Sequence, residues 1–314
     1  MARKLIQDYK PGEPIDEVFL LSKRELKSTK TGAYYLALTL CDRSGGVECR
    51  MWDASPQLYE AVHEDSFVRV KGKAETYNGQ LQFSIRAISV ADTANLDLAD
   101  FLPQSERPPK EMMAELKGIL DQIEDKDYRR LCDAFLGDKP FVTAFCMAPA
   151  ATRNHHAYLG GLLDHTLNIA KVALAILPHF PILRKDLLLT AVFLHDVGKT
   201  QELRYDRTFI YSDAGELLGH VVLGAMIVGE RADALDGFPR EKRDLLTHCI
   251  LSHHGQYEFG APKLPMTPEA MTVHYLDNID AKLKAFDTIV QKDVQSKSNW
   301  TEYIHQFQRR LFKR

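Results

Sequence analysis

The sequence predicts a multidomain protein, with a small β-barrel at the amino terminus followed by an all-α domain. Three observations support this fold class. Residues 14–91 alternate apolar and polar side chains with the period of two that strands require. Beyond residue 110, apolar residues recur every three or four positions, as they do in helices. Between these patterns lies a segment rich in proline and charge, which is typical of a linker.

Five strands are predicted in the first domain, at residues 18–22, 34–41, 47–52, 67–77 and 81–90. Turn residues separate them, and Asn78 with Gly79 is a strong hairpin signal. Five strands are too few for an immunoglobulin sandwich but match a Greek-key barrel of the OB type. We therefore place an OB-type barrel in residues 1–98 and the linker in residues 99–110.

The all-α domain is placed in residues 111–314. It begins with a short helical pattern from Met112 to Ile123, and longer helices are predicted over 156–177, 185–197, 216–235, 241–253 and 267–292. Gly198 and Gly255 each follow one of these helices, in the C′ position where a left-handed backbone favours glycine.

Composition favours a cytoplasmic protein that does not contact a membrane. No apolar run approaches the roughly 18 residues that a membrane span needs, and the amino terminus lacks the apolar core of a secretory signal. The five cysteines form no CxxC pair, so we expect reduced thiols. The net charge of −3 provides no general attraction for a polyanion. The sequence predicts no subunit number.

Histidine is unevenly distributed, since ten of the twelve histidines lie between His155 and His274. Five helical segments place histidine or aspartate beside apolar positions, and they contain His165, His195 with Asp196, His220, His253 with His254, and Asp277. A hydrogen-bonded core pair would explain one such segment. It does not explain five, because burying imidazole and carboxylate groups is costly unless they are paired or bind a cation. The pattern therefore indicates a metal centre.

The pattern of His165, His195 with Asp196, and Asp277 resembles the HD-domain metal-dependent phosphohydrolases. The additional His220 and His253 with His254 resemble the branch of that superfamily that binds two metals. This resemblance covers residues 140–295, roughly the motif core of the helical domain. With the barrel in front, the whole chain resembles the YhaM-type 3′-to-5′ exoribonucleases of bacteria.

The resemblance implies a ligand set for two divalent metal ions. The first ion would be held by His165, His195, Asp196 and Asp277, with Asp280 as the alternative to Asp277 one turn later. Asp196 would bridge to a second ion held by His220, His253 and His254. Imidazole and carboxylate ligands suit manganese, which we expect first, and also iron, cobalt or zinc.

Two further groups are expected to act on the substrate near this centre. Asp196 and Lys199 are assigned as catalytic. Lys199 lies just beyond the end of its helix and could reach a phosphate oxygen; the alternative is that it only interacts with the helix dipole. Arg153 and His156 precede the first ligand helix and could contact a second phosphate or the leaving oxygen. The alternative for this segment is a capping turn with Asn154 as the cap.

Alternation in the strands predicts an exposed aromatic and basic surface on the barrel, formed by Tyr35, Arg50, Trp52 and Arg86. Bases stack on aromatic side chains without a sequence code, which suits single-stranded nucleic acid. The alternative is that Trp52 only covers an opening of the barrel.

Together with the residues above, the resemblance implies a metal-dependent 3′-to-5′ exonuclease that hydrolyses the phosphodiester bonds of single-stranded RNA and, as a further option, of single-stranded DNA. The first alternative is an HD-domain phosphohydrolase of a small nucleotide, with the barrel as a regulatory or interaction module. The second is a nucleic-acid-binding protein with an inactive HD scaffold. The complete ligand set speaks against an inactive scaffold.

Overall fold

The computed structural model describes residues 3–29, 32–77, 79–94, 96–152, 156–293 and 298–313. The chain forms two units. One comprises Met1–Gln104 with Asp206–Thr208, and the other comprises Ser105–Tyr205 with Phe209–Arg314.

The first unit contains the five predicted strands, which close into a barrel in the order β1-β2-β3-β5-β4. The strands are β1 (Pro14–Ser28), β2 (Tyr34–Asp42), β3 (Gly45–Trp52), β4 (Ser66–Tyr77) and β5 (Gln80–Val90), with helix α1 (Pro56–Ala61) between β3 and β4. All strand pairs are antiparallel except β3 with β5, whose parallel pairing closes the barrel.

Strand β1 is longer than the predicted 18–22, because it continues past a bulge between Leu21 and Lys23 and pairs first with β4 and then with β2. Its second half is rich in charged residues, so the apolar alternation that marks a strand stops there. The barrel interior follows the predicted alternation. Leu36, Leu38 and Leu40 of β2 are fully buried with Phe83 of β5.

The second unit is helical, as predicted. Its helices are α2 (Pro109–Leu120), α3 (Lys126–Leu136), α4 (Lys139–Met147), α5 (Gly161–Ile176), α6 (Lys185–Leu194), α7 (Lys199–Glu202), α8 (Asp213–Asp233), α9 (Arg240–Ser252) and α10 (Pro268–Lys292). Helix α6 lies at the centre, since it is buried from Leu187 to Leu194 and packs against α5, α9 and α10. Among the described residues, none of the helices has both the length and the apolar composition needed to cross a membrane.

Several elements of this unit were not predicted. Helices α3 and α4 were not predicted although their apolar residues do follow the helical period, since Tyr128, Leu131, Cys132 and Phe135 of α3 lie three or four positions apart and are buried. Two small antiparallel sheets are also present, β6 (Leu203–Arg204) with β7 (Ile210–Tyr211), and β8 (Trp300–Ile304) with β9 (Arg309–Phe312). Strands of two to five residues are too short for a period of two to be recognised. Helix α2 begins at Pro109, within the predicted linker.

Candidate functional site

The helical unit brings the five histidine and aspartate segments to one place. His165 lies in the second turn of α5, and His195 ends α6, with Asp196 directly after it. His220 lies in α8, immediately after a kink at Gly219. His253 and His254 follow the last turn of α9, and Asp277 lies in the middle of α10.

The first cluster consists of His165, His195, Asp277 and one oxygen of Asp196. Nε2 of His165 lies 3.3 Å from Nε2 of His195, 3.4 Å from Oδ2 of Asp196 and 3.3 Å from Oδ1 of Asp277. Nε2 of His195 lies 3.4 Å from the same Oδ2. Donor atoms that surround one ion at about 2.1 Å are separated from each other by roughly 3.0 to 3.4 Å, so this spacing fits a bound metal.

The second cluster consists of His220, His253, His254 and the other oxygen of Asp196. Nε2 of His220 lies 3.2 Å from Nε2 of His254 and 3.4 Å from Oδ1 of Asp196. Nε2 of His253 lies 3.5 Å from the same Oδ1. Asp196 therefore presents one carboxylate oxygen to each cluster, as a ligand shared by two ions would.

The histidine tautomers also fit bound metals. Each Nδ1 contacts an oxygen that can only accept a hydrogen bond, so Nδ1 carries the proton and the lone pair of Nε2 points into the cluster. The acceptors are Asp280 Oδ2 for His165, Val192 O for His195, Glu202 Oε1 for His220, Ile250 O for His253 and Phe259 O for His254, at 2.7–2.8 Å. Two lone pairs facing each other at 3.2–3.3 Å repel unless a proton or a cation lies between them.

Asp196 lacks ordinary hydrogen bonds although it is only 1% exposed. Among the described residues, neither of its carboxylate oxygens accepts a hydrogen bond of normal geometry. The ammonium of Lys199, 2.6 Å from Oδ2, offsets part of the cost of burying this carboxylate, and metal coordination at both oxygens would offset the rest. The residues present therefore fit two divalent ions.

The electrostatics of the centre keep its carboxylates charged. Burial raises the pKa of Asp196, but Lys199 and the surrounding imidazoles outweigh burial and hold this pKa well below its ordinary value. Burial lowers the pKa of His165, but Asp196, Asp277 and Asp280 outweigh it and raise this pKa well above its ordinary value, so an ion that binds here must displace the proton from Nε2 of His165. Burial, assisted by His253, lowers the pKa of His254 to about 4, so His254 is neutral at pH 7, as a metal ligand must be.

Lys199 belongs to the same centre. It begins α7, and its Nζ lies 2.6 Å from Oδ2 of Asp196, with 13% of the side chain exposed. The ammonium therefore pairs with the shared carboxylate.

Gly198 and Gly255 allow close contacts with His220 and His274, but only Gly255 has the predicted left-handed backbone. Gly198 has a φ of −59°, so the predicted left-handed C′ conformation is wrong at this position. Glycine is needed there because a Cβ would lie 2.0 Å from the carbonyl oxygen of His220. Gly255 does have a positive φ, of 77°, and a Cβ there would collide with the ring of His274.

The structure separates Asp277 from its alternative Asp280. Asp277 faces the Nε2 edge of His165, inside the first cluster, whereas Oδ2 of Asp280 contacts Nδ1 on the opposite edge. Of the two, Asp277 is the one that lies within reach of the other donor atoms of the first cluster.

The expected contact of His156 with substrate does not agree with the structure. Its side chain is 1% exposed, with Nε2 2.8 Å from Oδ2 of Asp280 and Nδ1 2.8 Å from the hydroxyl of Tyr158. Both ring nitrogens are therefore engaged inside the protein. Arg153 and its neighbours Asn154 and His155 lie outside the described residues.

Sequence reasoning missed Glu202, which holds His220. Oε1 of Glu202 lies 2.8 Å from both the backbone nitrogen and Nδ1 of His220. Glu202 stands 18 positions before its partner, and its neighbours in α7 are polar, so no periodicity distinguishes it from a surface residue.

On the barrel, three of the four predicted surface residues lie together. Tyr35 of β2 pairs with Trp52 of β3, and their ring centroids are 5.0 Å apart. The guanidinium of Arg50 lies 5.7 Å from the ring of Tyr35 and 5.6 Å from the ring of Tyr77, which was not predicted. We call Tyr35, Arg50, Trp52 and Tyr77 the aromatic surface. Trp52 is 53% exposed and so does not close the barrel interior.

Arg86, the fourth predicted residue, is exposed on β5. The parallel pairing of β3 with β5 matches Arg50 to Ser84, so Trp52 and Arg86 each lie two residues beyond this pair. Arg86 is the extra residue of a bulge in β5, because Gly72 pairs with Ile85 and Lys71 with Ala87. No ring contact is recorded for Arg86 among the described residues.

Comparison with known proteins relates both units to described families. Residues 162–282 match the HD domain, and residues 20–91 match the OB-fold nucleic acid binding domain. The chain is 34% identical to the 3′-5′ exoribonuclease YhaM of Geobacillus sp. (strain WCH70), over 99% of this chain and 95% of that protein.

Solved OB domains show weaker likeness. The OB domain of Ta0387 from Thermoplasma acidophilum is 13% identical with a TM-score of 0.25, over 30% of this chain and 90% of that one. The second OB-fold domain of replication protein A from Methanococcus maripaludis is 20% identical with a TM-score of 0.22, over 30% of this chain and 98% of that one. These scores are too low to support an argument. The identity over nearly the full length of a YhaM protein, together with the two matched domains, shows that the chain belongs to the YhaM family of 3′-5′ exoribonucleases.

Proposed function

We propose that this protein is a metal-dependent exonuclease that removes nucleotides from the 3′ end of single-stranded RNA, with single-stranded DNA as a further substrate. The observation that carries the proposal is the position of Asp196, whose two oxygens face two separate groups of imidazole nitrogens. The family membership supports the same reaction.

The two clusters are proposed to hold two divalent ions, manganese first, with iron, cobalt or zinc as alternatives. When bound, such ions lower the pKa of a water and neutralise negative charge on phosphoryl oxygens. The ligands would be His165, His195, Asp196 and Asp277 for the first ion, and His220, His253, His254 and Asp196 for the second.

Protein side chains contribute orientation and charge. The Nδ1 hydrogen bonds hold every imidazole with Nε2 facing the cluster, so the rings need not reorient when a ligand binds. Lys199 keeps a positive charge beside Asp196, because the attraction of Asp196 and Asp277 outweighs burial and raises the pKa of this lysine. A phosphate that approaches the centre would meet this ammonium.

The barrel is proposed to hold the strand through the aromatic surface. Its rings are half-buried or exposed, and Arg50 lies within cation–π distance of two of them. Stacking on rings accepts any base, which suits an enzyme that must pass every nucleotide of a strand. Arg86 would contact the phosphate backbone beside these rings. The cytoplasmic location stays a prediction.

A 5′-labelled RNA oligonucleotide tests the proposal directly. With wild-type protein and manganese, we expect a ladder of products that shorten from the 3′ end, and no ladder with Asp196→Asn. The same label on a DNA oligonucleotide tests the second substrate. An intact oligonucleotide combined with hydrolysis of a mononucleotide would instead indicate a small-nucleotide phosphohydrolase.

A further inference from the structure

Two carboxylates outside the ligand set each hold one histidine, and the two histidines belong to different clusters. Oδ2 of Asp280 lies 2.7 Å from Nδ1 of His165, and Oε1 of Glu202 lies 2.8 Å from Nδ1 of His220. The other three histidines donate Nδ1–H to backbone carbonyl oxygens. Each cluster therefore contains one histidine held by a negatively charged partner.

Asp280 is itself held in place by a buried chain of polar groups. Oδ2 of Asp280 also lies 2.8 Å from Nε2 of His156, whose Nδ1 contacts the hydroxyl of Tyr158. Tyr158 in turn donates to Asp164, one residue before His165. This series of hydrogen bonds therefore links Asp280 of α10, through His156 and Tyr158 in the segment before α5, to Asp164 of α5, the residue before the ligand His165.

The backbone around His156 is shaped for this contact. His156 has a φ of 51°, in the left-handed region that non-glycine residues rarely adopt. A Cβ at Gly161 would lie 2.1 Å from the carbonyl oxygen of His156, so only glycine allows this approach. Strain of this kind persists only where the surrounding structure requires it. Here it aims a buried imidazole at Asp280.

Glu202 is held in a different way. The kink at Gly219 interrupts the helical hydrogen bonding of α8, and the backbone nitrogen of His220 donates to Oε1 of Glu202 instead. The same oxygen accepts the Nδ1–H bond of His220. Backbone and ring of His220 are thereby fixed together by one carboxylate.

A carboxylate partner fixes the orientation of an imidazole and raises its basicity more than a neutral carbonyl does. Asp280 and Glu202 contact different clusters, and no contact of either with the other cluster is recorded for the described residues. From this arrangement, and resting on the proposed metal-dependent function, we propose that Asp280 and Glu202 are positioning residues that set the affinities of the first and the second metal ion separately.

Manganese binding to the full chain, stripped with a chelator and titrated in a calorimeter, tests this inference. Wild-type protein should bind two ions per chain. Asp280→Asn and Glu202→Gln should each weaken the affinity for one of the two ions by about 10- to 100-fold. Asp287→Asn, an exposed carboxylate two turns further along α10, and Glu216→Gln, an exposed glutamate of α8, are matched controls that should bind as wild type does.

A variant that lacks one ligand of the second cluster shows to which cluster each effect belongs. In His254→Ala, only the first cluster remains complete. Adding Asp280→Asn should then weaken the remaining ion by the same 10- to 100-fold, whereas adding Glu202→Gln should leave its affinity unchanged. Equal effects of both changes in this background would overturn the separation, and unchanged binding by Asp280→Asn would overturn the role of that residue.

Thermal unfolding separates positioning from a structural role. In chelator, Asp280→Asn should melt below wild type, because Asp280 accepts bonds from two buried imidazoles, and the positioning role predicts that the rise in Tm on adding manganese is smaller as well. A lower Tm in chelator with an unchanged rise would contradict positioning. If Asp280→Asn does not fold, His156→Ala removes the donor behind Asp280 and should weaken the same ion. A wild-type chain that binds no manganese would overturn the proposed function as well, whereas normal binding in every variant would overturn this inference alone.

Discussion

Replacing Trp52 with alanine should weaken the binding of single-stranded RNA without slowing the hydrolysis of a dinucleotide. Trp52 is 53% exposed and its ring lies against Tyr35 at a centroid distance of 5.0 Å with an interplanar angle of 38°. The alanine variant removes one platform for a base and leaves Tyr35 and Arg50 in place. A dinucleotide bound at the metal centre would not need the barrel.

The size of the effect follows from the stacking energy. Loss of stacking costs about 1–3 kcal/mol per base. Since about 1.4 kcal/mol corresponds to a tenfold change, Kd should rise by roughly 5- to 150-fold. If Tyr35 turns into the space left by Trp52, the effect should fall at the low end of this range.

Fluorescence anisotropy with a labelled RNA, in chelator and at one fixed salt concentration, measures the Kd without hydrolysis. Phe180→Ala is a suitable control, because Phe180 is an exposed aromatic residue of the helical unit. It should bind RNA as wild type does. An unchanged Kd for Trp52→Ala, or an equal loss in both variants, would refute the role of the aromatic surface.

Three further predictions concern the metal centre and the fold. Asp196→Asn should reduce the rate of RNA hydrolysis by at least about 100-fold, because several kcal/mol of charge stabilisation are lost, while anisotropy should show unchanged RNA binding. Removing metal with a chelator should lower the Tm by about 5–10 °C per ion in a calorimetric scan, if each ion was present at about 100 times its Kd; an unchanged Tm would contradict bound metal. Glu269→Gln should lower the free energy of unfolding by about 1.5–3 kcal/mol at pH 7, because the fully buried carboxylate accepts hydrogen bonds from Nε and Nη2 of Arg184. Burial raises the pKa of Glu269, but the bonds from Arg184 outweigh it and hold this pKa below its ordinary value of 4.5. In urea titrations the stability difference should therefore be complete above about pH 4.5 and disappear at lower pH; a constant difference would contradict this.

The parts of the fold that sequence predicted best are those with a long, regular pattern. The strand with Leu36, Leu38 and Leu40 alternates without interruption, and the apolar run of α6 ends in His195 and Asp196. Both patterns record burial directly. The short sheet of β8 and β9 carries too few residues for a period, and its basic end resembles a tail.

The residues of the site also differ in whether a local sequence pattern marks them. Residues that could be metal ligands are recognisable because imidazole and carboxylate groups are unusual among apolar neighbours. Glu202 and Asp280 act through contacts with residues 18 and 115 positions away, which no local pattern records. His156 was expected at the substrate because a histidine in a polar segment indicates exposure, whereas tertiary packing buries it.

The central claim is that Asp196 joins two metal ions. A crystal of the wild-type protein grown with manganese, measured at the manganese absorption edge, tests it most directly. The anomalous difference map should show two peaks, one among His165, His195 and Asp277 and one among His220, His253 and His254, with Asp196 between them. A single peak, or none at these clusters, would contradict the account.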